Sequence, residues 1–595
     1  MKIKVNYPQL FHDSFNSSDL SFCDRLLVAR GVECVEDYYE PPIKYLESPL
    51  QLKNMGMAAA LYLRIVNNNG HILIVVDSDN DGYTSAAIIY QYTRRLNPNC
   101  VVDYWLHEGK QHGLQDHIER LMQGDNTYDL IILPDSSSND IHYHDMLDEI
   151  HLPCLILDHH LTDVNLSDNA VVVNNQLSPN YTNKELTGAG VVYQFCRYID
   201  TKTGHDWADD YIDLAAWGII GDMGSMLDME NRYIVYTGLR NIKNEFFKCL
   251  LNKQAYSITG SQSASWSDIV AKTNAISVSF YIVPMINALI RVGSMEEKEL
   301  LFTAFIDGGR LVPCNKRGAK GTFERADIEA ARVATNAKAH QNKIKETAVA
   351  CMEQKIAKHD LLSNKILFIR LEPEDRYPSE LNGLIAMQLA ARYKRPTIVA
   401  RLNDEGFDRG SARGLNQSEL KDFKSFLLDS GMFEYAQGHA NAFGVSIPDS
   451  ELAAFHAYAN EKLANIDFGT NTYDVDWAGS PQDSLALNRI IMDIGEHKGI
   501  WGQNNPEPLL YIHAIPFKPS EVTIMGASKD TIKIIYNGIP YIKFKAADFL
   551  AQLNKYDNNT QLYLNIVGRG NLNEWMGRVT PQMMIDDFEI TENVQ

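Results

Sequence analysis

Four short apolar runs punctuate the first part of the chain: 72–76 (ILIVV), 130–134 (LIILP), 154–157 (CLIL) and 170–173 (AVVV). Each has the length of a buried strand. Between them lie segments such as 84–96 and 111–123, where apolar residues recur at helical spacing. This alternation predicts a parallel sheet with helices on both faces, spanning residues 1–245. Sheets of this type bind ligands beyond the C-terminal ends of their strands. The residues that follow each run are therefore the place to look for chemistry.

The rhythm changes further along. Residues 246–359 are mostly helical in pattern, with a Gly- and Lys-rich loop at 314–321 (CNKRGAKG). The stretch 323–359 has no Gly or Pro and is rich in Ala, Lys, Glu and Gln, which predicts one long connecting helix. Residues 360–470 return to an α/β pattern, with strands at 365–370 and 397–402. Residues 475–595 are strand-rich, with runs at 531–536 and 561–567, and predict a small β-barrel. The expected fold class is thus α/β: a parallel-sheet domain, a second α/β domain joined by a long helix, and a C-terminal barrel. No internal repeat is visible.

Composition narrows the function. The formal net charge is −21. Diffuse positive charge, the usual means of holding nucleic acid, is absent. A nucleic-acid groove would have to be locally basic or use bound cations, and an anionic membrane surface is disfavoured. The eight cysteines form no CxxC pair, which argues against thiolate zinc and for reduced core thiols of a cytoplasmic protein. The N-terminus lacks the apolar core of a signal peptide. The chain reads as having no 18-residue apolar run, so no segment is expected to span a membrane.

Acidic and imidazole groups follow the apolar strands. Directly after ILIVV comes Asp77-Ser78-Asp79-Asn80-Asp81-Gly82-Tyr83-Thr84-Ser85. Three carboxylates within five residues repel one another unless a cation lies between them. Gly82 permits a turn, and Thr84 is placed to open the next helix. The start resembles a calcium loop, but the twelfth position counted from Asp77 is Ile88 and not the required glutamate. Asp135 directly follows LIILP, where a lone Asp is often only a helix cap. Asp158-His159-His160 follows CLIL, and imidazole favours Mn²⁺, Fe²⁺ or Zn²⁺ over Mg²⁺. Asp222 stands in GIIGDMG. Together these groups suffice for two divalent cations, the arrangement that phosphoryl transfer uses.

The ordered set DSDNDGYTS, LPDSSS, LDHH and GIIGDMG resembles the motifs of the DHH phosphoesterase superfamily. The likeness extends to RecJ-type exonucleases through RLLVARGV (25–32), PMINALIRVGS (284–294), SELNGLIAMQLAARYKRPTIVA (379–400), GSARGL (410–415), GHANAFG (438–444), WGQNNPEPLL (501–510) and LYLNIVGRGNLNEWMG (562–577). The resemblance implies a DHH domain, a DHH-associated domain and an OB-fold. It implies 5′→3′ release of mononucleotides from single-stranded DNA in recombination, repair or replication. Asp79, Asp81, Asp135, His159 and Asp222 would bind two divalent cations, Mn²⁺ by preference with Mg²⁺ as the alternative, and Asp135 would bridge them. His160 would contact the scissile phosphate, while Asp77 and Asp158 would orient the ligands. Arg291, Ser411, Arg413, Gly438 and His439 would hold the 5′-terminal phosphate. A helicase or single-strand-binding protein is the implied partner, and the cytoplasm of a bacterium, or of a phage's host, the implied location. Three positions depart from the family pattern: Ser136-Ser137, Gln437-Gly438 and Gly224-Ser225. They spare every ligand and put substrate preference in question.

Nucleic acid would need further contacts. Candidates are Lys316, Arg317 and Lys320, then Arg392, Lys394 and Arg395, then Lys543 and Lys545. Tyr104, Trp105, Trp501 and Trp575 are candidates for base stacking. Most such residues in any protein are solvated faces or core. Two other readings stand beside the exonuclease. One is a DHH phosphodiesterase for oligoribonucleotides or cyclic dinucleotides, which the strand-rich C-terminal region disfavours. The other is an inactive DNA-binding scaffold, which the complete ligand set disfavours.

Overall fold

A computed structural model describes residues 1–8, 20–109, 111–124, 127–162, 167–319, 321–575 and 578–593. The chain divides into two compact units. One comprises Cys34–Lys343 with Gly499–Pro506; the other comprises Met1–Glu33, Ile344–Lys498 and Glu507–Gln595. These limits differ from the four segments expected from the sequence. The first residues leave the parallel-sheet unit because strand Lys2–Val5 pairs in parallel with Thr472–Val475.

The first unit is built on a five-stranded parallel sheet: β1 (His71–Val76), β2 (Val101–Leu106), β3 (Leu130–Pro134), β4 (Cys154–Asp158) and β5 (Val171–Asn174). The spatial order is β2-β1-β3-β4-β5. All four predicted runs are strands. The edge strand β2, with its broken apolar pattern, was not anticipated. Successive side chains of β1 enter different cores. Ile72, Ile74 and Val76 face one apolar cluster, and Leu73 and Val75 face another. Both sides of the sheet are thus covered, which is why the strands read as unbroken apolar runs. The chain leaves β1 toward β2 and returns on the other side as β3, so the strand order reverses between β1 and β3. A ligand crevice opens at such a switch point.

Among the helices of this unit are α1 (Asn80–Leu96), α2 (Gly188–Thr203), α3 (Ile212–Gly221), α4 (Val283–Val292) and α5 (Met295–Ile306). Two expectations need correcting. The segment 111–123 becomes helical only at Ile118, because Gly113 turns the chain with φ +68°. The run Ala275–Val292 is long and apolar enough, by composition, to cross a bilayer, contrary to the sequence reading. Here 56 % of it is buried in the protein. Ile282, Ile286, Leu289 and Ile290 join the main core, and that packing accounts for its apolarity.

The expected long helix is α6 (Ala326–Lys358), and the boundary between the units falls inside it. The second unit holds two sheets. One contains β6 (Leu367–Leu371), β7 (Thr397–Leu402), β8 (Phe407–Arg413), β9 (Tyr435–His439) and β10 (Ala442–Pro448) in the order β9-β10-β8-β7-β6. The other has seven strands within Trp477–Thr591, with register breaks at Ile512/Ile515 and Val567/Gly568. Bulges of this kind bend strands where a sheet curls. All eight cysteines are free, and Cys23, Cys100, Cys154, Cys196 and Cys314 are buried, in line with the expected core thiols.

Candidate metal centre

The carboxyl ends of β1, β3 and β4 bring the acidic groups together. Asp77 follows β1 and is buried. Asp79 caps α1, its Oδ1 accepting from the backbone N–H of Asp81 at 3.0 Å and Gly82 at 3.1 Å. The helix therefore opens on Asp79. Thr84, expected as the opener, lies within the helix, and its hydroxyl donates to the carbonyl oxygens of Asn80 and Asp81. Asp81, inside the first turn, accepts from Thr187 Oγ1 at 3.0 Å, Gly188 N at 2.7 Å and Ala189 N at 3.1 Å. Asp135 follows β3 with φ +65°, an uncommon backbone for a non-glycine residue, and caps no helix. Asp222 ends α3.

Donor atoms form two triads, Asp77, Asp79 and Asp135, and Asp81, His159 and Asp222, and an overlapping group of four, Asp135, Asp158, His159 and His160, within each of which the atoms lie within 4.8 Å of one another. His159 Nε2 stands 3.2 Å from Asp135 Oδ1 and 3.5 Å from Asp222 Oδ2, yet makes a hydrogen bond with neither. Among the described residues, Asp77 Oδ1, Asp135 Oδ1 and His159 Nε2 are buried without a hydrogen-bond partner. Buried lone pairs are normally satisfied. Convergent unsatisfied oxygens and one imidazole nitrogen have the donor chemistry of a divalent-cation site. All five ligands expected from the sequence come together, and Asp77 adds a sixth donor.

The electrostatics agree with this. Burial, with the charges of Asp81, Asp79, Asp77 and Asp222, drives the Asp135 carboxyl well above its ordinary range. Burial lifts Asp77 to about 6, opposed by His112. Burial and the Asp79 charge push Asp81 up to about 7, although its three protein donors favour the ionised form. Burial and the charges of Asp81 and Asp79 raise Asp222 to about 8. With 40 % of that side chain open to solvent, the neighbouring charges are the firmer cause. Burial lowers His159 to about 4, which keeps its ring neutral and able to ligate.

His160 behaves oppositely. Burial opposes its charge, but the hydrogen bond from its Nδ1 to Asp158 Oδ1, at 2.8 Å, and the Asp158 charge raise it to about 10. Asp158 also accepts from the backbone N–H groups of Ser138, His159 and His160. Burial would raise this carboxyl, yet its donors and the charge of His160 hold it below the ordinary range. Asp158 thus holds the His160 ring and the backbone N–H groups of both histidines.

Several contributors were not foreseen. Gly188 carries no motif signal and Gly218 was noted only as part of GIIGDMG, but a Cβ on Gly188 would stand 2.4 Å from Asp135 Oδ1. One on Gly218 would stand 2.3 Å from Asp81 Oδ1. His112 reaches Asp77 Oδ2 at 2.7 Å. No local pattern marks Gly188 or His112, since their partners are distant in sequence.

Arg291, on α4, is buried enough to lower its guanidinium, while the Asp79 charge acts in the opposite sense. The other phosphate candidates belong to the second unit. Arg413 and His439 both face Ala442 across β8-β10-β9, and Ser411 faces Gly444 in the same sheet. Gly438 has φ +132°, and its carbonyl accepts from Lys424 Nζ at 2.7 Å. These four residues gather at one end of the sheet. Gly383 allows the Arg413 guanidinium to lie against α7 (Asn382–Tyr393), where a Cβ would stand 2.3 Å from Nη2.

The more distant DNA candidates fare unevenly. Trp501 is core, 1 % exposed. Tyr104 bonds Glu299 and packs on Phe302, and Trp105 carries the Arg120 guanidinium at 3.8 Å. Lys543 is buried, Arg392 pairs with Glu353, and Arg395 donates to the Asn364 carbonyl. Lys394 takes the left-handed conformation that ends α7. Lys316, Arg317 and Lys545 are exposed. Lys320 and the Trp575 side chain lie outside the described residues.

Comparison with known proteins matches residues 71–219 to the DHH family, N-terminal domain, and residues 486–587 to the RecJ OB domain. The chain is 35 % identical over 552 residues to the putative SPbeta prophage-derived single-strand DNA-specific exonuclease YorK of Bacillus subtilis, covering 92 % of each. It is 23 % identical over 591 residues to the single-stranded-DNA-specific exonuclease RecJ of Bacillus subtilis, covering 95 % of this chain and 68 % of that one. The fold of Thermus thermophilus RecJ, solved in complex with Mn²⁺, superposes with a TM-score of 0.67 at 19 % identity, over 94 % of this chain and 74 % of that one. Catalytic motifs, OB domain and near full-length similarity together place this chain in the DHH family, in its RecJ-type group.

Proposed function

We propose that this chain is a RecJ-type exonuclease that hydrolyses single-stranded DNA from the 5′ end and releases 5′-mononucleotides. The observation that carries the reading is the double triad of Asp77, Asp79 and Asp135 with Asp81, His159 and Asp222. It occurs in a chain whose 35 % identical relative is a single-strand DNA-specific exonuclease by name. Asp79, Asp81, Asp135, His159 and Asp222 would hold two divalent cations, with Asp135 shared between them. Mn²⁺ is preferred because one donor is an imidazole, and Mg²⁺ is the alternative. Such a pair supplies, when bound, charge neutralisation at the phosphoryl group and activation of water.

The protein's own groups do the rest. His160, held protonated by Asp158, donates from Nε2 to a phosphate oxygen, and Asp158 fixes its orientation. Asp77 steadies the β1 end of the cluster. Arg291, on which the Asp79 charge acts, would offer its guanidinium to the 5′-terminal phosphate. Ser411, Arg413, Gly438 and His439 offer a guanidinium, a hydroxyl, an imidazole and close backbone approach, a set suited to a terminal phosphate. Residues 360–470 would act as the DHH-associated substrate-binding domain and 475–595 as the OB-type nucleic-acid-binding domain. The protein would work in bacterial cytoplasm, on strands opened by a helicase or covered by single-strand-binding protein. Similarity to a prophage-derived relative fits a phage-borne version.

The test is digestion of a 5′-phosphorylated, 3′-labelled single-stranded oligonucleotide with Mn²⁺, beside a duplex, an RNA and a cyclic dinucleotide. Progressive shortening of the DNA from its 5′ end, with the duplex spared, is expected. Cleavage of only the RNA or the cyclic dinucleotide would keep the chemistry and refute the substrate.

A further inference from the structure

A second imidazole stands on the acid cluster in the same way as His160. Its loop, which follows β2, is pinned at both ends. Lys298, on α5 and 2 % exposed, donates from Nζ to the His107 carbonyl at 2.9 Å and also to the Glu108 carbonyl. A buried ammonium is costly unless it is bonded, so this contact fixes the start of the loop. Ser78 Oγ donates to the Gly109 carbonyl at 3.3 Å. At the far end Gly113 turns with φ +68°, where a Cβ would stand 2.2 Å from Asp140 Oδ2, and Leu114 N donates to that same oxygen at 3.3 Å. Between these anchors His112 Nδ1 lies 2.7 Å from Asp77 Oδ2.

The parallel with His160 is close. Each ring is tied by Nδ1 to an aspartate that is 1 % exposed, and each side chain is about half accessible, 49 % for His112 and 52 % for His160. Asp77 follows β1 and Asp158 ends β4, while β3, which delivers Asp135, runs between those strands. The carboxylates that hold the two imidazoles therefore come from the strands on either side of the one that delivers Asp135. A phosphodiester has two non-bridging oxygens, and a donor on each side of Asp135 would provide one for each.

We infer that His112 is a second histidine contact to the substrate phosphodiester, positioned by Asp77 as His160 is by Asp158. The inference rests on the phosphodiesterase reading above and adds a residue to that site.

The experiment compares the wild-type chain with His112→Ala and with His112→Asn, whose amide can still donate to Asp77. Divalent-metal content, thermal melting, and kcat and KM on single-stranded DNA are measured, with and without added imidazole. Both variants are expected to keep wild-type metal content and melting. Their kcat should fall about 10- to 100-fold, the scale of one charge-assisted hydrogen bond made in the transition state. Free imidazole should restore part of the rate to His112→Ala. Wild-type kcat in His112→Asn would overturn the inference, because the ring would then serve only to hold Asp77. Loss of metal from both variants would overturn it as well. If the wild-type chain cleaves no phosphodiester, the reading of the site falls and this inference with it. If it cleaves and both variants match it, only this inference falls.

Discussion

Asp135→Asn should abolish activity and yet stabilise the metal-free protein. The Asp135 side chain is 2 % exposed, its Oδ1 has no hydrogen-bond partner among the described residues, and Asp81, Asp79, Asp77 and Asp222 add like charge around it. A buried charge without compensation costs about 3–5 kcal/mol. The amide has the same shape and no charge, but leaves polar atoms to satisfy, so a net gain of about 1–3 kcal/mol is expected. For a unit of this size that corresponds to a rise in Tm of roughly 2–8 °C. The sign with pH follows from linkage. The folded-state carboxyl titrates well above the ordinary 3.8, so its contribution to wild-type stability is fully present below that value and is lost as pH rises toward the folded pKa. Asparagine has no such loss, so the gap between variant and wild type should widen from pH 5 to pH 8. The assay is calorimetry of both proteins in EDTA at the two pH values, repeated with Mn²⁺. Added metal should raise the Tm of the wild type and not that of the variant, whose exonuclease rate should be lower by roughly 1000-fold. A variant less stable than wild type at pH 8 in EDTA would refute the reasoning. The carboxylate would then be satisfied within the protein and not poised for a cation.

Three further outcomes are expected. In Gly188→Ala the new Cβ would stand 2.6 Å from Asp135 Cβ, about 1 Å inside ordinary carbon contact. A displacement of that size should cut kcat about 100-fold for a stability loss of about 1–3 kcal/mol, read by single-turnover kinetics and denaturant melts. Burial lowers His107 to about 3, and neither ring nitrogen has a hydrogen-bond partner among the described residues. The stability it contributes is present above the unfolded value of 6.5 and is lost as pH falls toward 3, so His107→Leu should flatten the acid limb by the order of 3 kcal/mol in urea titrations. Arg413→Ala should reduce the preference for a 5′-phosphate over a 5′-hydroxyl terminus by about 10-fold in competition digests, with metal content unchanged.

Much of the metal centre was legible in the chain. Asp79, Asp81, Asp135, His159 and Asp222 each follow an apolar run or sit in a glycine-framed helix end, and clustered like charge beside a buried strand has few uses other than holding a cation. Aromatic and basic residues were a weaker guide. Trp501 is core and Lys543 is buried, because single Trp and Lys residues carry no directional signal. Thr84 was misplaced by one turn, since Asp79 competes as the helix cap and accepts two backbone N–H bonds.

By itself the sequence determined what depends on near neighbours. Strands covered on both faces must be continuous apolar runs, and a stretch without Gly or Pro such as 326–358 stays helical. The order β2-β1-β3-β4-β5 was decided only in three dimensions, and it sets the end of β1 beside that of β3 and so joins Asp77 to Asp135. The same holds for His112, which meets Asp77 across 35 residues, for Lys298, which holds the His107 carbonyl across 191, and for the glycines that clear space for the carboxylates. Local propensity and burial are read along the chain. Which distant groups touch is set by the packing free energy of the whole unit, and no single stretch of sequence encodes that.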